Sequence, residues 1–180
     1  RMAFAWRPAL IAAALLLGVA GRIAYGWGEP LWFDETFTAV IATQPDFGKL
    51  LAWCLGELTG PAYYMPMRAW AKLAGASDTA LRLPALAMSI GAPLLLYWRG
   101  HADRDLRLFW AVLALLWLPA LTVATEARPY PQLFLLAGLQ AIAFLRMARV
   151  PGTRTALVWT SVSALLVLTH YWGLGICGVQ

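Results

Sequence analysis

Residues 6–25 read WRPALIAAALLLGVAGRIAY, an apolar run that has arginines only near its two ends. A helix needs about 20 such residues to cross the hydrocarbon core of a bilayer. Of the 180 residues in the chain, 61% are hydrophobic and 13% are charged, whereas soluble domains average about 25% charged residues. The sequence therefore predicts an integral membrane protein and excludes an ordinary water-soluble domain.

Further apolar segments of similar character follow the first one. They run over residues 81–98, 108–123, 130–145 and 155–168, and another begins at Gly173 and stops at Gln180. We expect an all-α, polytopic membrane helix bundle with about five complete transmembrane helices and a truncated sixth. The interrupted last helix and the initial Arg1 indicate that residues 1–180 are the amino-terminal part of a longer protein. An alternative for residues 6–25 is a cleaved signal peptide, which leaves the topology of the remainder unchanged.

The distribution of arginines predicts the orientation of the spans. Lys and Arg near span ends are retained on the cytoplasmic side. Alternate short loops are rich in arginine: Arg1 and Arg7, then Arg99, Arg104 and Arg107, then Arg146, Arg149 and Arg154. We therefore expect a cytoplasmic N-terminus and an outer segment that extends from Arg22 to Arg82. This placement accounts for most of the net charge of +5 without a Lys/Arg-rich run, so nucleic acid is not an expected partner.

The outer segment is predicted to contain juxtamembrane helices. Apolar residues recur with helical spacing from Phe47 to Leu58, which is typical of an interfacial helix. Residues 63–73 mix aromatic side chains with Arg68 and Lys72, and Pro61 and Pro66 limit hydrogen bonding there. We interpret this second segment as a helix at the membrane surface and not as a span.

Three polar clusters fall on the outer side. Asp34 and Glu35 follow the first span, and the simplest interpretation makes Asp34 the N-cap of a short helix through Thr43. A helix N-terminus also favours an ionised carboxylate, which is available as a base. The other two clusters contain Glu126 with Arg128, which a local ion pair would explain, and His170, for which a structural hydrogen bond is the simpler role.

No sequence pattern predicts a zinc site or a disulfide framework. The cysteines Cys54 and Cys177 form no CxxC spacing, and His101 and His170 lie far apart.

Taken in order, several motifs resemble one family of membrane enzymes. They are the pair Asp34-Glu35, the stretches 60–64 (GPAYY), 80–85 (ALRLPA) and 126–130 (EARPY), and the stretch 168–171 (LTHY). The chain resembles the GT-C fold glycosyltransferases that use polyprenyl-phosphate sugars, specifically the bacterial relatives of the protein O-mannosyltransferases and the lipid A aminoarabinose transferases. It departs from them in having one proline, Pro61, before the tyrosines, Thr125 before the acid, and Pro131 after Tyr130.

The resemblance implies a function and a set of site residues. Residues 1–180 would form the amino-terminal part of a GT-C catalytic module in the bacterial inner membrane, with the active site on the outer face. The enzyme would move a sugar from a polyprenyl-phosphate donor to a hydroxyl group of a lipid, glycan or protein, with inversion. By similarity, Asp34 would be the catalytic base. Substrate-binding residues would be Glu35, Tyr63, Tyr64, Glu126, Arg128, Tyr130 and His170.

The group that balances the developing negative charge on the phosphate stays open at the level of sequence. It is either Arg128 or a divalent cation such as Mg²⁺ or Mn²⁺.

Two further classes of protein also stay open. A transporter or flippase would use the same ionisable residues to line a translocation path, and a membrane scaffold would use them only structurally. The clustering of charges in outer loops, and not within spans, favours the enzyme.

Overall fold

The computed structural model describes residues 6–179, which form helices joined by short connections. Arg1 and Gln180, on which two of the sequence arguments rest, lie outside these residues. In chain order the helices are α1 (Trp6–Ala24), α2 (Phe33–Ala42), α3 (Phe47–Gly56), α4 (Pro61–Ala74), α5 (Asp78–Arg99), α6 (Arg104–Leu116), α7 (Leu118–Thr122), α8 (Tyr130–Arg149), α9 (Thr153–Thr169) and α10 (Gly173–Gly178). The described part of the chain contains no strand, so the all-α prediction is confirmed.

Five helices pack side by side in the order α1, α6, α5, α8 and α9. The shorter helices α2, α3 and α4 pack on one another, and α4 also contacts α5 and α9. We call the end of the bundle that carries α2, α3 and α4 the α2 end. The opposite end, at which α5 and α8 finish at Arg99 and Arg149, is the arginine end.

Within residues 6–179, three helices are long and apolar enough to cross a membrane: α1, α5 and α8. The count of five complete spans is therefore not confirmed. The segment expected to span at 108–123 is broken at Trp117, between α6 and α7. The segment at 155–168 is helical, but α9 has only 17 residues, and α10 ends at Gly178 after 6 residues.

The break between α6 and α7 has a cause in the sequence. Pro119 has no N–H, and its ring would collide with the carbonyl of Leu115 in a continuous helix. The guanidinium of Arg22 supplies a hydrogen bond to this carbonyl instead: its Nη1 donates to Leu115 O at 2.8 Å. A Cβ atom at Gly18 would lie 2.9 Å from the same oxygen, so this glycine allows α1 to approach the break.

Arg22 also donates a hydrogen bond to a carbonyl group that a second proline leaves without its helical donor. Pro93 in α5 leaves the carbonyl of Ser89 without its helical partner, and Arg22 Nη2 donates to that oxygen at 3.3 Å while Nε donates to Ser89 Oγ at 3.2 Å. Arg22 is fully buried. Arg22 and Arg82, which limit the expected outer segment, are both helical residues, in α1 and α5.

The two helices predicted in this segment are present as α3 and α4, and each buries one side against the other. Leu50 and Cys54 of α3, together with Tyr63, Tyr64 and Met67 of α4, belong to one buried cluster. Pro66 does not break α4, because Gln132 Nε2 donates to the carbonyl of Ala62 that Pro66 frees, at 2.9 Å.

The orientation of the bundle can be tested at the two ends of α5. Ala76 and Ala102 are exposed and lie just outside this helix, whose 22 residues span roughly 33 Å at 1.5 Å per residue. We expect an impermeant thiol reagent applied to intact cells to label Ala76→Cys and not Ala102→Cys, in a background without Cys54 and Cys177. Because Ser77 and Asp103 cap α5 and α6, their neighbours are the safer positions for cysteine. Labelling of Ala102→Cys alone would reverse the orientation.

Candidate active site

A polar cavity of about 310 Å³ lies at the α2 end of the bundle. It brings together residues from α2, from the connection between α3 and α4, from the segment just before α8, and from the segment just after α9. Five of the predicted site residues line it: Asp34, Tyr64, Arg128, Tyr130 and His170. Segments far apart in the sequence therefore form one site, as the three outer clusters predict.

Two of the motifs meet through their backbones beside this cavity. Gly60 N donates to Thr169 O at 3.0 Å, and Tyr171 N donates to Leu58 O at 3.1 Å. A Cβ atom at Gly60 would collide with the carbonyl oxygen of Leu168, so only glycine allows this approach. The GPAYY and LTHY stretches are thus coupled by an isolated β-bridge between Thr59 and His170.

Asp34 is the accessible carboxylate of α2. Its side chain is 39% exposed and forms an ion pair with Arg128, with Oδ2 3.2 Å from Nη2. The helix starts two residues earlier than expected, with Trp32 at the N-cap and Asp34 as the second helical residue. The prediction that Asp34 caps the helix is therefore wrong, since the Trp32 N–H is instead accepted by Glu35 Oε2 at 3.2 Å.

Glu35 is fully buried and does not line the cavity. Its Oε1 accepts Arg82 Nε at 2.9 Å and the Ala127 N–H at 2.7 Å. Its Oε2 accepts Arg82 Nη2 at 2.5 Å together with the Trp32 N–H. A carboxylate offers about four lone-pair sites, so these contacts leave none for a substrate. The expectation that Glu35 binds substrate or a cation directly is corrected: it holds the segment 123–129 beside α2.

The guanidinium of Arg82 also makes its hydrogen bonds within this network. Besides Glu35, its guanidinium donates to the carbonyls of Gly26, Glu29 and Pro30, which connect α1 to α2. Burial alone would raise the pKa of the Glu35 carboxyl, but the hydrogen bonds from Arg82, Ala127 and Trp32 together lower it. Glu35 is therefore an ionised structural residue at neutral pH.

Arg128 is the cation of the cavity. Its Nη2 donates to Tyr130 Oη at 2.8 Å, and its Nη1 lies 3.7 Å from Glu126 Oε2. The guanidinium also stacks over the rings of Trp32 and Tyr130, at 5.1 and 4.6 Å from their centroids. The expected ion pair between Glu126 and Arg128 is present, but Arg128 reaches across to Asp34 as well and so links two of the three clusters.

Glu126 stands behind Arg128 and outside the lining of the cavity. Burial raises the pKa of its carboxyl, Arg128 partly offsets this, and the charges of Glu35 and Asp34 add to the increase. Its Oε2 is buried without a hydrogen-bond partner. Glu126 thus contributes to the charge balance around Arg128 and does not face the space of the cavity.

His170 and the tyrosines complete the walls. His170 Nδ1 accepts the Trp172 N–H at 3.2 Å, which assigns the ring proton to Nε2. Burial, with a smaller effect from Arg128, lowers the pKa of His170, so the ring is neutral. Tyr64 Oη donates to Glu57 Oε2 at 2.8 Å, whereas Tyr63 is buried behind Tyr64 and does not line the cavity.

Sequence reasoning missed Glu57 and Trp172, both of which line the cavity. Glu57 directly precedes the LTGPAYY stretch, so an acid next to a motif was the available signal. Trp172 follows the LTHY stretch. Its ring lies 5.2 Å from His170 and 6.4 Å from Tyr130, measured between ring centroids.

A second cavity, of about 400 Å³, adjoins the polar one. Tyr130 and Trp172 line both. The other walls of the second cavity are mainly apolar and come from α7, α8 and α10, for example Ala120, Phe134 and Ile176. Much of this space lies between α7 and α8.

The donor set does not fit a divalent cation. Within residues 6–179 no group of three or more His, Cys, Asp or Glu side chains is arranged to hold a metal ion. Asp34 faces Arg128, and the oxygens of Glu35 are already occupied.

The Glu35 network can be tested by Glu35→Gln. This change leaves Arg82 buried without its counter-ion, which typically costs about 3–5 kcal/mol. We expect a markedly lower midpoint of thermal unfolding in detergent than for the parent and for Glu29→Gln, which removes an exposed carboxylate nearby. Since the folded-state pKa of Glu35 is lowered, its contribution is present above the ordinary glutamate range and is lost on acidification. Stability of Glu35→Gln should hence depend less on acidic pH, and equal midpoints for all three proteins would refute the network.

Comparisons with known proteins identify no relative: no family model matches the chain, and neither a curated protein nor a solved structure matches it. The resemblance to the GT-C glycosyltransferases remains an expectation from the motifs. The geometry of the two cavities is what bears on function.

Proposed function

We propose that the chain is part of a membrane glycosyltransferase of the GT-C type. It would transfer a sugar from a polyprenyl-phosphate donor to a hydroxyl acceptor at the outer face of the bacterial inner membrane. One observation carries the proposal: a polar cavity that contains an accessible carboxylate and an arginine adjoins an apolar cavity, and two residues, Tyr130 and Trp172, line both. A substrate with a phosphate head and a long apolar chain matches this pair of environments.

The polar cavity holds what a single displacement requires. The acceptor oxygen attacks the anomeric carbon of the sugar while the bond from that carbon to the phosphate oxygen breaks. The bonding electron pair leaves with the phosphate, and the proton of the acceptor hydroxyl passes to the carboxylate of Asp34. Because a lipid phosphate leaves as a stable anion, no general acid is needed, and the sugar carbon inverts.

Arg128 is proposed as the counter-charge for the departing phosphate. A guanidinium is planar and suits bidentate contact with phosphate. Its present ion pair with Asp34 keeps the base and the cation adjacent, so a phosphate beside Arg128 would bring the sugar carbon near Asp34. Tyr130 and Trp172 would then stand where the phosphate joins the lipid chain, because they line both cavities.

The remaining residues take supporting parts in this proposal. His170 and Tyr64 shape the space for the sugar and the acceptor, and Glu126 tunes the charge around Arg128. Glu35 is a positioning residue, since its bond to the Ala127 N–H holds the backbone next to Arg128. Tyr63 supports Tyr64 from behind.

A transporter or flippase is the second candidate, and one observation favours it. Arg22 is a charged residue within a span and lines the apolar cavity, so charges are not confined to loops as the sequence suggests. However, Arg22 donates to Ser89, Leu115, Gly18 and Ala114, and these contacts explain it structurally.

The decisive variant is Asp34→Asn in the full-length protein. It nearly preserves volume and removes the proton acceptor, and a half-exposed ion pair is worth only about 0–1 kcal/mol of stability. We expect sugar transfer from a labelled polyprenyl-phosphate donor to fall by about a hundredfold to ten-thousandfold at matched folded amount. Donor binding should persist, and Glu29→Gln should transfer at the parental rate.

Other outcomes separate the alternatives. Parental transfer by folded Asp34→Asn would end the assignment of the base. Loss of lipid-phosphate flux in proteoliposomes, with no transfer by the parent protein, would favour the transporter.

A further inference from the structure

A cavity at the arginine end is lined by an unusual concentration of cations. It has a volume of about 670 Å³ and lies between the ends of α5 and α8. Its basic side chains are Arg99, His101, Arg107, Arg146 and Arg149, and none of the acidic residues that the structure describes lines it. Arginines of α5, α6 and α8 thus bring positive charge to one space.

These arginines lack carboxylate partners in the described part of the chain. None of Arg99, Arg107, Arg146 and Arg149 forms an ion pair there, and Arg107 donates only to the carbonyl of Trp98, at 2.9 Å. Like charges that share a cavity repel one another. An anion in the cavity would relieve this repulsion.

The two acidic residues between α5 and the first turn of α6, Asp103 and Asp105, make other contacts. Asp103 caps α6, because its Oδ1 accepts the N–H groups of Asp105 and Leu106 at 2.7 and 3.3 Å. Asp105 pairs with Arg7 of α1. Neither acid therefore pairs with an arginine of the cavity.

The rest of the lining of the cavity is mainly apolar. Leu95 of α5 and Leu139, Ile142 and Leu145 of α8 form it, and Trp98, which is 61% exposed, stands at its rim. Both helices are long and apolar enough to span a membrane, so this wall extends from the cationic end of the helices toward the bilayer. The cavity is consequently amphipathic along the direction of a lipid molecule.

We propose that this cavity binds an anionic phospholipid, with the phosphate between the arginines and an acyl chain along the leucine and isoleucine wall. Basic cavities between spanning helices are suited to lipid head groups, and guanidinium groups bind phosphate in a bidentate manner. The site is separate from the polar cavity at the α2 end and does not depend on the proposed transferase activity. A free phosphate has the same head-group chemistry but gains nothing from the apolar wall.

The test is lipid binding to the purified full-length protein, measured by native mass spectrometry with phosphatidylglycerol and phosphatidylcholine. The variant Arg146→Gln/Arg149→Gln removes two cations of the cavity. The control Lys72→Gln/Arg154→Gln removes two exposed charges outside it. We expect phosphatidylglycerol affinity to fall about tenfold or more in the first variant, to stay parental in the control, and to exceed phosphatidylcholine affinity in the parent.

Three results would overturn the proposal. Equal weakening by both double variants would indicate nonspecific attraction to charge. Equal affinity of the parent for the two lipids would remove the role of the anionic head group. Complete displacement of phosphatidylglycerol by inorganic phosphate would identify the occupant as a soluble anion, because it would show that the apolar wall adds nothing.

Discussion

The structure depends on one constraint: a buried backbone carbonyl must find a donor, and the bilayer offers none. Proline removes such a donor from the helix in which it lies. Among residues 6–179, Pro66, Pro84 and Pro93 do so within helices, and Pro119 does so just beyond the end of α6. In each case a side chain from another helix supplies the missing hydrogen bond. The freed carbonyls and their donors are Ala62 with Gln132, Ala80 with Trp70, and Ser89 and Leu115 with Arg22. The breaks in regular hydrogen bonding are therefore also the points at which the helices are tied together.

The same constraint bears on the difference in burial between two adjacent carboxylates, Asp34 and Glu35. Successive residues of a helix point about 100° apart, so α2 can bury Glu35 while Asp34 stays open to the cavity. Glu35 and Arg82 satisfy each other and the backbone around them, which fixes the segment that carries Arg128. The pair of Asp34 and Arg128, which lines the cavity, is thus held in place by a second, buried pair. A buried ion pair of this kind is valuable here for the geometry it enforces.

Much of this arrangement follows from the sequence. The apolar runs predict the helices, and the arginine pattern predicts that the clusters at Asp34, Arg128 and His170 meet at one end. Local patterns do not predict which carboxylate is buried, because that depends on Arg82, 47 residues away. Nor do they predict that Trp117 interrupts a span, since Pro119 is tolerated only where Arg22 reaches across from α1. Hydropathy and charge placement describe single segments, whereas these features are properties of pairs of helices.

The central claim is a single displacement at the sugar carbon with Asp34 as the one base. The configuration of that carbon in the product tests it most directly. The full-length protein would be given a polyprenyl-phosphate sugar of known anomeric configuration, and the product would be examined by nuclear magnetic resonance coupling constants. A single displacement predicts the opposite configuration in the product. A product that retains the configuration of the donor would require a second displacement on a nucleophile of the protein and would contradict the claim.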